Sequence, residues 1–209
     1  IHLPLIEKVA STGKPMIVST GMATFEEIIE AVEVIKKSKC DKFALLKCTS
    51  DYPASSSNSN ILTIPELRKI FKCEVGLSDH TMGIGAAVAS VAHGSTIIEK
   101  HFTLNKKFVG PDHAFAIEPK ELKQLVSSIR NADAAKGTGI KSIEKIEKEL
   151  EKFATRSIQA TKTINKGDKL EFEKNFELLR PGKRSRGADA IDIKKINGKI
   201  GFLVKLYLP

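Results

Sequence analysis

The chain has 209 residues, 41% of them apolar, and a formal net charge of +9, enough for a packed medium domain and a small second one. No apolar run approaches a membrane span and none has the form of a secretory leader, so a cytoplasmic protein with no membrane partner is expected. The lysines are interleaved with glutamates, as in residues 140–152, and the chain has no tryptophan and two tyrosines. Stacking platforms are therefore scarce and no nucleic acid is expected; a basic surface that draws in small anions accounts for the charge.

The first element is a helix from Leu3 to Ser11, and the chain opens inside it, which reads as the carboxyl-terminal part of a longer protein. Four strand-helix units follow. Pro15 to Ser19 is a short apolar run, Thr20-Gly21-Met22-Ala23 turns out of it, and Thr24-Phe25-Glu26-Glu27 is a capping box. Ile28, Ile29, Val32 and Ile35 give the next helix its apolar face. Phe43 to Cys48 is the second strand. A serine- and asparagine-rich loop, Thr49 to Asn60, leads to a helix over Thr63 to Phe71 with Pro65 in its first turn. Val75 to Ser78 is the third strand, Gly83 to Ala92 a small-residue helix, and Thr96 to Lys100 the fourth strand. The loop Thr103 to Ile117 enters a helix over Pro119 to Ala135. Alternating strands and helices imply a parallel sheet, and continuous apolar strands imply burial on both faces. The fold class is α/β, and four units are half of a (β/α)8 TIM barrel, its carboxyl-terminal half, over residues 1–136.

Residues 137–154 read as a charged helical linker. From 155 to 209 short β-like pieces appear: Ser157 to Thr161, Asn175 to Leu179 and Phe202 to Leu208. Turns at Asn165-Lys166-Gly167-Asp168 and Arg180-Pro181-Gly182 separate them. This is a small β-rich appended domain with little core of its own. Cys40, Cys48 and Cys73 lack metal-ligand spacing and read as reduced thiols.

In parallel barrels the chemistry gathers at the carboxyl ends of the strands. Those ends carry Ser19-Thr20-Gly21, Lys47-Cys48-Thr49-Ser50, Ser78-Asp79-His80 and Glu99-Lys100-His101. Neighbouring strands lie about 4.8 Å apart, so His80 and His101 are placed to share a metal ion, with Asp79 or Glu99 orienting a ring; each is otherwise a hydrogen-bonded structural histidine. The Ser19-Thr20-Gly21 turn offers N–H and hydroxyl donors to a phosphate or is a plain helix cap, and Ser78 has the same two readings. Lys47 and Lys100 either neutralise an anion or pair with a carboxylate. Asp112 is a turn former or an acid/base. His113 shares its loop, and His2 and His93 read as structural or exposed.

Six motifs in order resemble the sialic acid synthases, the family of N-acetylneuraminate, legionaminate and pseudaminate synthases. They are Ser19 to Ala23, Cys48 to Ala54, Gly76 to Thr81, Glu99 to Leu104, Gly110 to His113 and Arg180 to Gly182. The resemblance implies a (β/α)8 barrel followed by an antifreeze-like (SAF) domain. It also implies condensation of phosphoenolpyruvate with an N-acetylated hexosamine such as N-acetylmannosamine, giving a nine-carbon 2-keto sugar acid and phosphate, with Mn2+ or Mg2+ required. Carried over by motif, His80 and His101 are metal ligands. Ser19, Ser78 and Ser50 contact phosphoenolpyruvate, Tyr52 contacts the sugar, and Asp112 is the catalytic acid near the reacting carbons. Arg180 reaches the sugar site of a partner in a domain-swapped homodimer.

Three departures stand beside these motifs. The family's preceding half-barrel, with its glutamate, Asn-His-Gly motif and lysines, is not in this sequence. The loop Ser55 to Ser59 lacks the family's proline and acidic residues, and Gly201 to Pro209 is unlike its last strands. This polypeptide alone is therefore expected to be inactive, with unpaired sheet edges. The competing reading is a non-catalytic fragment or an assembly protein that keeps the scaffold; metal titration with and without phosphoenolpyruvate separates the two.

Overall fold

Four apolar runs lie side by side as one curled parallel sheet: β1 (Met16–Ser19), β2 (Phe43–Cys48), β3 (Glu74–Asp79) and β4 (Ile98–Lys100), in that spatial order. The computed structural model describes residues 1–201, which fall into two compact units, Ile1–Gly139 and the described residues from Ile140 onward. The sheet and five helices, α1 (Leu3–Ala10), α2 (Phe25–Lys37), α3 (Thr63–Phe71), α4 (Gly85–Ala92) and α5 (Pro119–Ala135), form the first unit.

The helices begin where local chemistry tells them to. Thr24 Oγ1 accepts the Glu27 N–H while Glu27 returns a carboxylate to the Thr24 N–H at 2.7 Å, a reciprocal cap whose loss costs about 1 kcal/mol. Glu26 and Glu27 in the first turn and Lys36 and Lys37 in the last complement the helix dipole. Pro119 starts α5, where a missing N–H costs nothing. Lys72 ends α3 in the left-handed conformation, φ 54°.

One face of the sheet is sealed by these helices. Val18, Leu45, Val75, Leu77 and Ile98 pack against Ile28, Val32, Ile64, Leu67 and Phe71. Full burial of a residue such as Leu45 is worth about 1.5–3 kcal/mol. Ile98 also meets Ala87, Ile117 and Leu125 under α4 and α5. Because side chains alternate along a strand, Ser19, Leu46, Cys48, Gly76, Ser78 and Glu99 occupy the other, concave face. The register confirms the rows: Ser19 pairs with Leu46, Leu46 with Gly76, Cys48 with Ser78, and Ser78 with Glu99. Gly76 has to be glycine, because a Cβ there would run into the Ile97 carbonyl oxygen and the Leu46 side chain.

Element boundaries shift by one or two residues from those expected, and two of the shifts have a visible cause. The fourth strand starts at Ile98, because Thr96 gives both its N–H and its hydroxyl to the Val75 carbonyl. The helix expected from Gly83 starts at Gly85, since Gly83 takes φ +74° in the preceding turn. The loop after β4 also ends in a further parallel rung. The Ile117 N–H reaches the His101 carbonyl and the Thr103 N–H reaches the Ile117 carbonyl, both at 2.9 Å.

The second unit contains α6 (Glu147–Ala154), the antiparallel pair β5 (Ser157–Ala160) and β6 (Phe176–Leu179), and the short α7 (Ile193–Ile196). Among the described residues Ile158, Ile164, Phe176 and Pro181 are buried in it. The turn at Asn165 closes through Asp168, whose carboxylate accepts the Asn165 N–H at 2.7 Å. The sequence reading set its boundary at 136, whereas the first unit runs to Gly139, and the helix expected within 137–154 is confined to Glu147–Ala154. The expected strand Phe202 to Leu208 lies outside the described residues. Among the described residues no helix is long and apolar enough to cross a membrane.

Candidate active site

The pairing of Asp79 with Lys100 in β3 and β4 carries one residue further to His80 and His101. Both then fall on the concave face at the carboxyl end of the sheet. Their ring centroids are 5.2 Å apart, with the planes at 60°. His80 is buried and His101 is half-buried. The His80 Nδ1 lies 2.9 Å from the Thr49 carbonyl oxygen. A carbonyl only accepts, so Nδ1 carries the proton and Nε2 keeps its lone pair. The His101 Nδ1 faces Asp112 Oδ2 at 3.7 Å.

Two aromatic rings wall this pair. Tyr52 lies 4.4 Å from His80 and 5.9 Å from His101, and Phe115 lies 5.0 Å from His101. Tyr52 is half exposed, so its ring closes one side and leaves the mouth open. His80, His101, Asp112 and Tyr52 are thus gathered into one cluster. Ser78 sits one rung below and donates its hydroxyl to Glu99 at 2.7 Å. Ser50 stands 3.8 Å from the Cys48 thiol. It also abuts Gly21, where an added Cβ would strike the Ser50 hydroxyl, so Ser50 shares a corner with the turn after β1. Ser19 is exposed at the end of that strand. Arg180 is exposed just after β6 in the second unit.

Several side chains at these strand ends are committed to other partners, and for Lys100 the partner is a carboxylate, the second of its two readings. Lys100 points to the helix side, where its ammonium meets Asp79 at 2.8 Å and the Thr81 carbonyl at 2.7 Å; it faces away from any anion on the concave face. Lys47 faces the same side and donates to the Thr49 hydroxyl, and burial pushes its pKa down. Asp79 is spent on Lys100 and Thr81 and Glu99 on Ser78. The rings are oriented instead by the Thr49 carbonyl and faced by Asp112. Thr20 gives both N–H and hydroxyl to the Leu46 carbonyl at 2.9 Å, so those two donors of the turn are already used. His113 shares a 2.7 Å hydrogen bond with the buried Thr103 and stacks edge-on with Phe108. His2 caps α1, its Nδ1 accepting the Leu5 N–H.

Three contributors left no mark in the sequence. The Thr49 contact is made by backbone. Phe115 sits in what read as loop and becomes a wall only because Ile117 joins the sheet. The Lys106 ammonium reaches Glu121 of α5 at 2.7 Å, and this hydrogen bond holds the Glu121 carboxyl below its usual range. It ties down the segment that leads to Asp112.

The donor set suits a divalent ion in an open site. Each imidazole turns Nδ1 toward a carbonyl or carboxylate, the arrangement that leaves Nε2 for a metal. Among the described residues no group of three or more His, Cys, Asp or Glu side chains converges. On their own the two imidazoles are therefore at most a partial ligand set, and a closed structural centre of four protein ligands is not built here.

A family model described as the NeuB family matches residues 1–141. The N,N'-diacetyllegionaminic acid synthase of Campylobacter jejuni is 41% identical over 201 residues, covering 95% of this chain and 59% of that protein. The pseudaminic acid synthase of the same organism is 39% identical over 176 residues, covering 84% of this chain and 51% of that protein. The crystal structure of N-acetylneuraminic acid (sialic acid) synthetase from Leptospira borgpetersenii, in complex with citrate, superposes with a TM-score of 0.66 at 36% identity. It covers 71% of this chain and 52% of that one. The chain thus spans between half and three-fifths of the length of these relatives.

Proposed function

The chain belongs to the NeuB family, and from that premise we propose that it is the carboxyl-terminal half-barrel and appended antifreeze-like domain of a nonulosonic acid synthase. The reaction is condensation of phosphoenolpyruvate with an N-acetylated hexosamine of the N-acetylmannosamine type. Water is consumed, and a nine-carbon 2-keto sugar acid and phosphate are released. The observation that carries this reading is the His80–His101 pair, 5.2 Å apart, with Tyr52 and Asp112 beside it at the carboxyl ends of β3 and β4.

Each residue has a part. His80 and His101 would hold Mn2+ or Mg2+, which when bound supplies Lewis acidity toward the aldehyde of the open-chain sugar. The Thr49 carbonyl keeps His80 in the tautomer that offers Nε2. Ser19, at the end of β1, and Ser50, in the loop after β2, offer hydroxyls to phosphoenolpyruvate; Ser78, whose proton goes to Glu99, meets the same ligand by holding that carboxylate away from it. Tyr52 presents its half-exposed ring to the sugar. Asp112, at the open mouth beside the reacting carbons, is the acid/base that takes a proton from the water adding at carbon 2 and gives one to the oxygen of the former aldehyde. Arg180 of the second unit binds the sugar across a domain-swapped homodimer in the cytoplasm. Holding both substrates in register lowers the barrier by pre-paying their loss of freedom.

The test offers the full-length protein, of which these residues are read as the carboxyl-terminal part, phosphoenolpyruvate and a panel of N-acetylated hexosamines, and follows phosphate release and product mass. A product heavier than the hexosamine by the pyruvyl unit is expected for one member of the panel. Binding of metal and phosphoenolpyruvate with no keto acid from any sugar would overturn the assignment in favour of a non-catalytic scaffold.

A further inference from the structure

Behind the imidazole pair, on the helix side of the sheet, a buried charge pair joins the same two strands. We propose that Asp79 and Lys100 are positioning residues that set the spacing and orientation of His80 and His101. The inference rests on the reading of those histidines as the reactive centre.

The geometry is closed on every side. Asp79 lies opposite Lys100 in the β3–β4 register, and their side chains are 1% and 4% exposed. One Asp79 oxygen meets the Lys100 ammonium at 2.8 Å, and the other accepts the N–H and the hydroxyl of Thr81 at 2.9 and 2.8 Å. Lys100 makes a second bond, to the Thr81 carbonyl at 2.7 Å. The network therefore grips the residues on both sides of His80 and the residue just before His101. The frame extends to the next segment, where the Ala54 N–H donates to the His80 carbonyl at 3.0 Å and Ala54 bridges to Thr81. Tyr52 hangs two residues from that bridge.

Stability alone does not account for ions at this position. A buried ion pair is often no better for stability than apolar residues of the same volume, whereas losing one partner is costly. What the charges add is direction. The ammonium has to point at two defined oxygens and the carboxylate at three defined donors, so the strand ends cannot slide or splay without stranding a buried charge. An apolar pair would fill the space and leave the two backbones free to shift by fractions of an ångström, enough to misplace reacting groups.

The double variant Asp79→Leu/Lys100→Met, made in the intact polypeptide, separates the two roles. The clamp predicts a melting temperature within a few degrees of the parent, a fall in kcat of about tenfold or more, and a KM for phosphoenolpyruvate within threefold. It also predicts that the imidazole 15N shifts of His80 move from a fixed Nδ1–H tautomer toward an average of both. Unchanged kcat and unchanged shifts in the folded double variant would overturn it. Should that variant fail to fold, Thr81→Val decides on the same shifts, since it removes one hydroxyl bond and leaves both charges in place. Absence of turnover in the unaltered full-length protein sinks the synthase assignment alone, because the shifts report the clamp without any reaction.

Discussion

The Ser78 hydroxyl donates to the Glu99 carboxylate at 2.7 Å, across the rung directly beneath His80 and His101. An ionised carboxylate at that spot repels a trianionic substrate, and the serine proton is what turns it aside. Ser78→Ala should raise the KM for phosphoenolpyruvate about tenfold, equivalent to about 1.4 kcal/mol, with kcat nearly unchanged. Glu99 is exposed, so stability should move little. Adding Glu99→Gln to Ser78→Ala should recover part of the loss by removing the repulsion. Initial rates on the four forms give the coupling, and strictly additive effects would refute a working pair.

His80 offers a cleaner test of the ion than removal of the whole ring. His80→Asn retains a side-chain amide that can meet the Thr49 carbonyl but lacks the second nitrogen. Chelation of the parent protein should abolish turnover, and added Mn2+ or Mg2+ should restore it. The variant should need about a hundredfold more metal for half-maximal rate, at or beyond the loss typical of disturbed ligand shells. Full activity in chelator would dispose of the metal assignment.

Much of this arrangement could be read from residues alone, for definite reasons. The strand carboxyl ends were legible because each apolar run stops at a polar triplet, and in a parallel sheet all such stops share one side. The pairing of His80 with His101 followed from equal position on adjacent strands. Which face a residue takes was not legible from these runs. Lys47 and Lys100 sit among residues that looked like site residues, yet alternation turns both toward the helices. The partners of Asp79 and Glu99 were hidden for the same reason, since cross-strand neighbours depend on register. The Phe115 wall and the added rung at Ile117 arise from a loop with no periodic signal.

The loop carrying Asp112 is secured from α5, and that tie has a pH signature. Lys106 bonds to Glu121, which holds the Glu121 carboxyl below its ordinary value of 4.5. A carboxyl with a lowered folded pKa binds fewer protons in the closed state than when released. The tie is therefore fully present above pH 4.5 and is lost as pH falls through the lower folded value. Because both side chains are about a third exposed, the effect on global stability should be under about 1 kcal/mol. Local opening is the sensitive measure. Amide exchange over residues 103–113, corrected for its intrinsic rate, should stay flat from neutral pH to about 4.5 and then accelerate. Glu121→Gln should show the accelerated rate already at neutral pH. Equal exchange in the two proteins at pH 7 would mean the loop is held by Thr103 and His113 instead.

Gly76 and Leu77 are sequence neighbours that point to opposite faces of β3, and substituting each should separate fold from site. Leu77→Ala leaves a cavity against the helices and should cost about 2–5 kcal/mol, with the rate of the folded protein largely kept. Gly76→Ala adds a single carbon on the concave face, where the Ile97 carbonyl oxygen and the Leu46 side chain already fill the space. Neither backbone nor a packed leucine can yield without moving β4 away from β3. The stability cost should be about 1–3 kcal/mol, no greater than for Leu77→Ala. The site should nevertheless suffer more, because Ser78 and His80 lie two and four residues along the same face and face Glu99 and His101 across the widened gap. Urea melts give the two stabilities, and rates measured well below either midpoint give the activities. A Gly76→Ala protein that turns over like the parent would show that the strand spacing at this rung is not transmitted to the histidine pair.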